Sequence, residues 1–493
     1  MWGLAGTMNA LDKLIVYFSP KRGYQRMAYR SELERNYTAA RTDRFGKWYP
    51  RNQPAELTDA PYRNLIKARA RDLERNNGIV QGAVGVILRN VVGLGIKPQA
   101  VCVDEQGKEL WEINDKIEEF WAEWINKENC DASRGQKFYQ MQQMFLRRMI
   151  VDGDMLTIMG YNPNIHAEFP LVLQLIESDL LAEDIIENKG RYVYGGVEVN
   201  DYMAPAAYHF RFDPKEMGNV QRIEASRVIH GFIKTRAPQT RGISALTGIM
   251  ENVRDCGEFI ESELKAARMA SALTGVVSSE QPGGSVGRQI TAPSGQKITE
   301  IEIGTMLNLA PGEKADFATP GRPNGAVAPF VSAILRFIGM GLGLSYEALS
   351  RDLSQVNYSS AREGRLQDIK TYELLQQDLV DNFCQPIYRQ WLDSMVLNGT
   401  INIPGYWNNK KKYQKCKWIK PGWKWVDPLK EAKGIETQLG MNMTTLQDAC
   451  GQMGYDWQEV VEQRAREKAY IQEVETLNKI QTDGGENNSA QQS

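Results

Sequence analysis

Two apolar helical patterns enclose a stretch of very different composition, and this arrangement restricts the fold more than any other feature. Apolar side chains recur at helical spacing after Ser244, which predicts a helix over residues 243–273 with Ser244 as its N-cap. Residues 274–326 are rich in glycine and proline and contain short alternating strands. A nearly uncharged apolar helix follows at 327–344. The pattern predicts a small β-rich insertion between two long helices, and from composition alone a flexible surface insertion is the simpler interpretation.

A short polar segment, residues 345–359, separates the second of these helices from a long amphipathic helix at 360–397. Its Ser, Asp, Arg, Gln and Asn side chains are too polar for a core, which predicts an exposed but ordered loop. Pro386 lies inside the long helix, and we expect it to kink that helix because proline removes a backbone hydrogen bond.

The rest of the chain is typical of an α+β protein. Residues 61–242 combine helices with short strands, and Asp152-Gly153-Asp154 predicts a tight turn before one of the strands. The remaining segments are predicted to be a basic N-terminal arm (1–60), a C-terminal Trp/Lys hairpin followed by helices (398–480), and a disordered tail (481–493).

One apolar run has the length of a membrane span. Gly78–Ile96 contains nineteen residues, but Arg89 and Asn90 lie inside it. An arginine near the middle of a bilayer costs roughly 2.5–3.5 kcal/mol. We therefore predict a buried helix that leads into a strand.

Several kinds of chemistry lack their sequence signals. There is no P-loop pattern, and the glycines at 339, 341 and 343 follow a helix rather than a strand, so we expect tight helix packing there instead of nucleotide binding. The six cysteines are scattered, which implies neither disulfides nor a zinc site. His166, His209 and His230 match no metal-binding spacing, and we interpret the last two as structural residues on strands.

The charge is nearly balanced overall. The net charge is -2, although residues 1–75 hold 15 Lys and Arg against 8 Asp and Glu. A protein that grips duplex DNA by neutralising phosphates is usually much more basic. If DNA is a partner, we therefore expect that the chain does not grip it tightly.

Four separated blocks of this sequence resemble lambda-family phage portal proteins. The most specific is D-L-S-Q-V-N-Y-S-S-A-R at 352–362. The others are an arginine-rich helix with paired asparagines and V-V-G-L-G-I (69–96), the block that begins R-G-I-S-A-L (241–277), and M-N-M-T-T-L-Q-D-A-C-G-Q-M-G-Y-D-W (441–457). The resemblance extends from about residue 10 to about residue 475.

This resemblance implies a non-enzymatic, ring-forming subunit of about twelve copies at one capsid vertex of the virion. The ring would conduct double-stranded DNA, which a terminase packages and which is later ejected. Head-tail adaptor, major capsid and scaffold proteins would be further partners, with assembly in the host cytoplasm and no membrane. Residues 61–242 would be the wing, 243–273 and 327–344 the stem helices, 274–326 the clip, 345–359 the channel loop, 360–397 the long wing helix, and the C-terminal helices a crown-like region.

We hypothesise that the loop lines the narrow part of the channel. Arg351 and Arg362 would attract phosphates, and polar side chains would form exchangeable hydrogen bonds, while Asp352 would temper the positive field. Contacts between subunits would explain the same residues equally well. The candidate channel-lining residues are Ser350, Arg351, Ser354, Gln355, Asn357 and Arg362.

The segment 394–426 has two interpretations. It contains no acidic side chain, and its lysines alternate with tryptophans. Basic and aromatic side chains together can stack on unpaired bases. Because a duplex offers no unpaired bases, we favour a packed Trp-rich hairpin.

A rival class is a metal-dependent nuclease that uses Asp152, Asp154 and Asp352. It predicts DNA cleavage that requires a metal ion, but no further oxygen ligands follow the acidic turn at loop spacing. Another ring or tube component of the virion is a second alternative, and the helix–module–helix layout argues against it.

Overall fold

The computed structural model describes residues 17, 19–22, 52–103, 108–162, 164, 166–213, 218–271, 275–279, 288–291, 297–300, 313–317, 325–423 and 428–472. Residues 1–58 and 59–493 form two separate compact units. Most of the predicted N-terminal arm and all of the predicted tail lie outside the described residues.

Helices provide most of the described structure. Short 3₁₀ turns occur at Ser178–Leu180, Ala225–Arg227 and Tyr406–Asn408, and a π-helical turn occurs at Val380–Cys384. The described α-helices are α1 (Ala55–Asn76), α2 (Gly78–Val91), α3 (Trp111–Trp124), α4 (Lys127–Cys130), α5 (Phe138–Val151), α6 (Met250–Ser271), α7 (Val327–Leu342), α8 (Tyr346–Ser350), α9 (Tyr358–Leu379), α10 (Gln385–Leu397), α11 (Lys410–Tyr413), α12 (Pro428–Gly440), α13 (Leu446–Gln452) and α14 (457–472).

The strands form small sheets whose recorded pairings are all antiparallel. One sheet has the order β3-β2-β9 and another runs β4-β5-β6-β7-β8, while β1 pairs with β14, β10 with β13 and β11 with β12. The strands are β1 (Lys97–Ala100), β2 (Asp154–Tyr161), β3 (Leu171–Ile176), β4 (Glu187–Asn188), β5 (Arg191–Tyr194), β6 (Val197–Val199), β7 (Pro205–Phe210), β8 (Gln221–Glu224), β9 (Val228–Phe232), β10 (Gly275–Ser279), β11 (Arg288–Thr291), β12 (Lys297–Glu300), β13 (Glu313–Phe317) and β14 (Cys416–Ile419). This mixture of helices and sheets confirms the α+β class.

A cluster of aromatic rings lies at the centre of the main core. The ring of Trp121 on α3 lies 4.8 Å from that of Trp124, 5.0 Å from that of Trp391, 5.3 Å from that of Phe138 and 5.5 Å from that of Tyr388. Buried aromatic pairs add about 0.5–1.5 kcal/mol each beyond their area. The cluster joins α3, α5 and α10, which are far apart in the sequence.

The apolar run after Gly78 is a buried helix, as predicted. Asn77 caps α2 by accepting a hydrogen bond from the backbone N–H of Ile79 (2.9 Å), and most of the apolar side chains of α2 lie in the core. The helix is followed by β1, which confirms the predicted transition from helix to strand. In the described part of the chain, no helix combines the length and apolar composition needed to cross a membrane.

The two helices that carry the β-rich module, α6 and α7, are called the stalk helices. The first of them, α6, begins later than the sequence pattern predicts. The prediction that Ser244 caps a helix is wrong: its hydroxyl accepts from the backbone N–H of Leu246 (3.2 Å) and donates to the carbonyl oxygen of Ile150 (3.3 Å). The N–H of Ala245 also donates to Ile150 (2.9 Å). These bonds to α5 hold the segment in turns, so α6 begins only at Met250.

The two stalk helices lead into two antiparallel strand pairs, β10 with β13 and β11 with β12, as the alternating pattern predicts. At the other end the predicted tight packing of the glycines is confirmed. A Cβ atom at Gly341 would lie 2.3 Å from Cγ2 of Ile249, and a Cβ atom at Gly339 would lie 2.6 Å from the carbonyl oxygen of Leu344.

The long helix after the loop is interrupted where proline predicts a break. The π-helical turn Val380–Cys384 separates α9 from α10 and directly precedes Gln385 and Pro386. Because Pro386 has no N–H, the preceding turn can widen without losing a hydrogen bond at that position.

The predicted Trp/Lys hairpin is wrong in its pairing. Its one described strand, β14, pairs with β1 from the early part of the chain, with Trp418 opposite Pro98. Trp418 nevertheless packs as expected, with its ring 6.0 Å from that of Tyr388. β14 therefore forms its backbone hydrogen bonds with β1 and packs Trp418 on the aromatic core, and it does not pair with a strand close to it in the sequence.

The acidic turn before β2 is present and depends on a glycine. Gly153 has φ +97°, and a Cβ atom there would lie 2.5 Å from the backbone carbon of Ile243. The backbone at Gly242 is equally close, because its own Cβ position is 1.9 Å from the carbonyl oxygen of Gly153. The turn therefore lies directly against the segment that enters the stalk.

Substitution of Gly153 by Ala should destabilise the protein through both backbone strain and this contact. Gly190 also has positive φ (+81°), but its Cβ position is open. We expect Gly190→Ala to cost about 1–2 kcal/mol from strain alone, and Gly153→Ala to cost a further 1–3 kcal/mol or so from overpacking. Urea unfolding of both variants measures the difference, and equal losses would contradict the contact.

Glu118 on α3 lies where β1 meets the C-terminal helices. Its carboxylate accepts a hydrogen bond from the N–H of Ala100 (2.7 Å). Burial raises the pKa of Glu118 to about 7, against the opposing effect of this hydrogen bond, and the nearby carboxylates of Asp456, Asp115 and Glu459 raise it further. The folded protein therefore holds a proton on Glu118 that the unfolded chain releases above its ordinary pKa of 4.5.

The stability contributed by protonated Glu118 should fall as the pH rises through the window between its two pKa values. We expect the Tm of the wild-type protein to decrease from pH 5 to pH 7, and Glu118→Gln to reduce that decrease. The exposed Glu112 on the same helix is a matched control, and Glu112→Gln should leave the pH dependence unchanged. Parallel pH profiles for all three proteins would exclude Glu118 as the source.

Candidate functional site

The polar segment between α7 and α9 is an ordered loop that contains the short helix α8. Residues 346–350 are half-buried against the rest of the chain, whereas residues 351–355 are exposed. The loop thus has a fixed base and a solvent-facing tip, which we call the tip (residues 351–357).

Backbone and side-chain hydrogen bonds end α7 at the base of the loop. Gly343 adopts φ +68°, and the N–H of Leu344 donates to the carbonyl oxygen of Gly339 (2.8 Å), a pattern typical of a glycine C-cap. The hydroxyl of Thr371 on α9 donates to the carbonyl oxygen of Gly343 (3.0 Å). The end of α7 is therefore attached to α9.

A buried carboxylate holds the start of α8. Asp368 on α9 accepts from the backbone N–H of Ser345 (2.7 Å) and from its hydroxyl (2.6 Å). The same hydroxyl accepts from the N–H of Ala348 (3.1 Å) and so caps α8. Burial raises the pKa of Asp368, partly offset by the hydrogen bonds from Ser345. This chain of three hydrogen bonds sets the direction in which the loop leaves the helices.

The first residue of α8 also contacts the stalk. The guanidinium carbon of Arg336 on α7 lies 5.0 Å from the ring centre of Tyr346, and the hydroxyl groups of Ser332 and Tyr346 are 3.3 Å apart. A cation over an aromatic ring at an exposed site contributes about 0.5–1 kcal/mol. The base of the loop is thus attached to α7 as well as to α9.

The tip begins at Arg351, which adopts left-handed backbone geometry with φ 58°. Its N–H donates to the carbonyl oxygen of Glu347 (2.8 Å), which ends α8. Ser350 uses its hydroxyl locally, donating to Tyr346 (2.8 Å) and accepting from the N–H of Asp352 (3.1 Å). Among the described residues, no acidic side chain forms an ion pair with Arg351. Its charge is therefore displayed to solvent.

The rest of the tip is arranged by its own polar side chains. Asp352 accepts from the N–H of Ser354 (2.9 Å), and hydrogen bonds from Ser354 hold the pKa of Asp352 below its ordinary value. Asn357 is the N-cap of α9, accepting from the N–H of Ser360 (2.9 Å). The long helix therefore begins at Tyr358, two residues earlier than predicted.

The structure places the predicted site residues in two groups. Arg351, Ser354 and Gln355 lie on the exposed tip, whereas the side chain of Ser350 forms hydrogen bonds within the loop and that of Asn357 caps α9. Arg362 lies on α9, with its guanidinium group 4.0 Å from the carboxylate of Glu431. The six residues therefore share one loop and the helix that follows, and the tip contributes the exposed polar groups.

The acidic residues of the rival nuclease hypothesis do not form a metal site. Asp152 accepts from Arg71 (3.0 Å) and Arg148 (3.1 Å). Asp154 pairs with Arg241: burial alone would raise the pKa of Asp154, but Arg241 and His230 hold it well below its usual range. These carboxylates are already neutralised by cations of the chain.

Asp352 lies on the exposed tip, where its carboxylate accepts a hydrogen bond from the N–H of Ser354. Within the described ranges, no group of three or more His, Cys, Asp or Glu side chains is arranged to hold a metal ion. The structure therefore gives the nuclease hypothesis no support.

Two histidines have structural roles, as predicted. Nε2 of His209 lies 3.0 Å from the carboxylate of Glu198, and Nε2 of His230 lies 3.4 Å from that of Asp154. Burial lowers the pKa of His230, although Asp154 opposes this effect. Both rings lie on strands, β7 and β9.

The sequence alone did not reveal the residues that attach the loop. Ser345 after Gly343 is a recognisable signal, because a C-cap glycine followed by an N-cap serine marks a break between two helices. Asp368 and Thr371 carry no such signal, since each is one polar residue on a helix with many. Their roles depend on contacts across 23 and 28 residues.

In this architecture, two paired helices carry a β-rich module. The second helix leads through a polar loop to a long helix. A sequence model of the lambda family of phage portal proteins matches residues 41–376, which include the loop. The chain belongs to the lambda family of phage portal proteins. That family is structural, and the enzyme alternative gains no support from it.

Two relatives that are named as portal proteins match most of the chain. A probable portal protein of Halomonas phage phiHAP-1 is 26% identical over 450 residues, covering 87% of this chain and 86% of that protein. Portal protein B of Escherichia phage lambda is 22% identical over 458 residues, covering 84% and 86% respectively. Among solved structures, a chain in the neck of a native GTA particle computed with C12 symmetry has a TM-score of 0.44 at 13% identity, covering 75% of this chain and 89% of its own length.

Removal of the Asp368 carboxylate should loosen the base of the loop. Asp368→Ala leaves the N–H and hydroxyl of Ser345 without their partner, which should cost about 1–3 kcal/mol and speed hydrogen exchange at residues 344–350. Glu363→Gln on the exposed side of α9 is a control that should change neither quantity. Unchanged exchange in Asp368→Ala would show that the loop is held by other contacts.

Proposed function

We propose that this chain is the repeating subunit of a portal ring, about twelve copies around a channel for double-stranded DNA at one capsid vertex. The observation that carries the proposal is the family match over residues 41–376, which covers the stalk helices and the loop. In this assembly residues 61–242 form the wing, the stalk helices form the stem, residues 274–326 form the clip, residues 360–397 form the long wing helix, and the C-terminal helices form a crown-like region.

The loop would act on DNA through weak repeated contacts. Arg351 projects an unpaired charge from an otherwise polar tip, and Ser354 and Gln355 are exposed beside it. One such set per subunit gives a ring of phosphate contacts without a tight binding patch, so a duplex can move past. Asp352 lowers the local positive potential. Arg362 is directed toward Glu431 and would contribute less than Arg351.

The energy and the specificity of packaging would come from partners. The sequence has no P-loop, so a terminase large subunit supplies ATP hydrolysis. The clip is the proposed docking surface for that motor and later for a head-tail adaptor, and major capsid and scaffold proteins would be further partners. The complete ring would be part of the virion, assembled in the host cytoplasm.

The oligomeric state of the purified chain tests the proposal first. Light scattering should give a mass of about twelve times 55.8 kDa, and negative-stain images should show closed rings with a channel wide enough for a duplex. A monomer that cleaves DNA only with a metal ion would overturn the proposal and favour the nuclease.

Charge reversal at the tip tests the role of the loop. We expect Arg351→Glu to assemble normally but to reduce DNA packaging or retention, because a ring of negative side chains repels phosphates. Arg134 is a matched control, since it is also an exposed arginine with left-handed geometry (φ 57°). Arg134→Glu imposes the same backbone demands away from the loop. Equal packaging by both variants in a phage complementation assay would show that Arg351 does not contact DNA in the channel.

A further inference from the structure

The stalk helix α7 exposes a continuous apolar surface. Of its 16 residues, Ile338 and Gly339 are the buried ones. Phe330, Phe337 and Met340 are 48%, 57% and 73% exposed. Together with Ala333 they follow a spacing of three, four and three residues, which is the seam of a coiled coil. These four residues are the α7 stripe.

The antiparallel helix α6 has a second stripe with the same spacing. Gly257, Ile260, Leu264 and Ala267 repeat at three, four and three residues, and Ile260 and Leu264 are 43% and 50% exposed. The stripe continues the line of Val253, which is fully buried at the base of the helix. The apolar face of α6 therefore extends beyond the part that this chain covers. These four residues are the α6 stripe.

The opposite flank of α6 is polar and does not need another subunit to cover it. It is charged, and its side chains satisfy one another through pairs one turn apart, Arg254 with Glu258 (2.8 Å) and Lys265 with Glu261 (2.6 Å). Each helix thus presents one apolar flank.

Apart from Phe330, which lies at the edge of its stripe and contacts α6 of its own chain, the two stripes lie on opposite sides of the helix pair. The ring of Phe259 contacts that of Phe330 at 4.7 Å, which identifies the sides that face each other. At about 100° per residue, the α6 stripe is rotated from Phe259 toward higher residue numbers, whereas most of the α7 stripe is rotated from Phe330 in the opposite sense. Because the helices are antiparallel, these rotations place the stripes on opposite faces. A copy can therefore offer one stripe to each of two neighbours.

We propose that the α7 stripe of each copy packs against the α6 stripe of the next copy, which makes the stalk a head-to-tail interface. The inference rests on the proposed ring and adds the side chains that close it. Two apolar stripes of equal spacing on opposite faces are what a heterologous interface requires, since each subunit must provide both halves of the contact. An exposed apolar surface of this kind is otherwise a risk for aggregation.

Polar substitutions in the two stripes test the interface by its strength. In the full-length chain, Phe337→Gln and Ile260→Gln should each weaken subunit association by at least about tenfold, measured as the protein concentration at which rings dissociate. Glu258→Gln, on the charged flank of the same helix, should have no effect. Because Phe337 and Ile260 are about half exposed, circular dichroism should show folded chains with wild-type helix content.

Cross-linking tests the geometry. Phe259 contacts Phe330, so Ile260 lies at the height of Phe330 on the stalk, and a closed ring has no rise between copies. An Ile260→Cys chain mixed with a Phe330→Cys chain should give a dimer with a short bismaleimide. A Glu258→Cys chain mixed with the Phe330→Cys chain should not, and the wild-type chain reports any reaction of native cysteines.

The outcomes separate the interface from the ring itself. Cross-linked dimers and weakened Gln variants support the proposal. Rings that form normally in the Gln variants, without the cross-link, overturn it while leaving the portal function intact, and would assign the stripes to a different protein. A wild-type chain that remains monomeric contradicts both.

Discussion

The backbone of Gly153 lies against the backbone of Gly242 and Ile243, and the path of the chain depends on this contact. It is possible only because neither glycine has a side chain. On either side of it, Asp152 is paired with the partly exposed Arg71 and Asp154 with the fully buried Arg241, so two ion pairs, one of them completely buried, flank the contact. Breaking a buried pair by removing one partner costs about 3–5 kcal/mol. The strand-rich part and the stalk are therefore joined by groups that tolerate little change.

Local signals predicted much of this fold. The buried helix α2, the turn at Gly153 and the strands between residues 154 and 232 follow from periodicity and from glycine, and both signals depend on neighbouring residues. The failures have a common cause. The sequence pattern predicts that Ser244 caps a helix, but its hydrogen bond to Ile150 holds it in a turn. The pattern also predicts a hairpin for β14, which instead pairs with β1. In both places a partner distant in sequence determined the outcome.

In the candidate site, too, the features that depend on neighbouring residues were predictable and those that depend on distant residues were not. The position and the polarity of the loop were evident, and its cap at Asn357 belongs to the motif that indicated the family. The attachment of the loop by Asp368 and Thr371 could not be predicted, because nothing in a single helix distinguishes a side chain that reaches a neighbouring backbone from one that faces water. That the tip meets DNA remains a prediction, because such a contact depends on groups outside this chain.

The π-helical turn at Val380–Cys384 has a consequence for the direction of the loop. Such a turn holds one residue more than the α-helical turn it replaces, so it rotates everything before it by about 100° relative to everything after it. α10 is anchored in the aromatic core, whereas α9 carries the attachment points of the loop. The number of residues in this turn therefore determines the rotation of α9, and of the loop attached to it, relative to α10. A chain that is one residue shorter there would point its loop in a different direction.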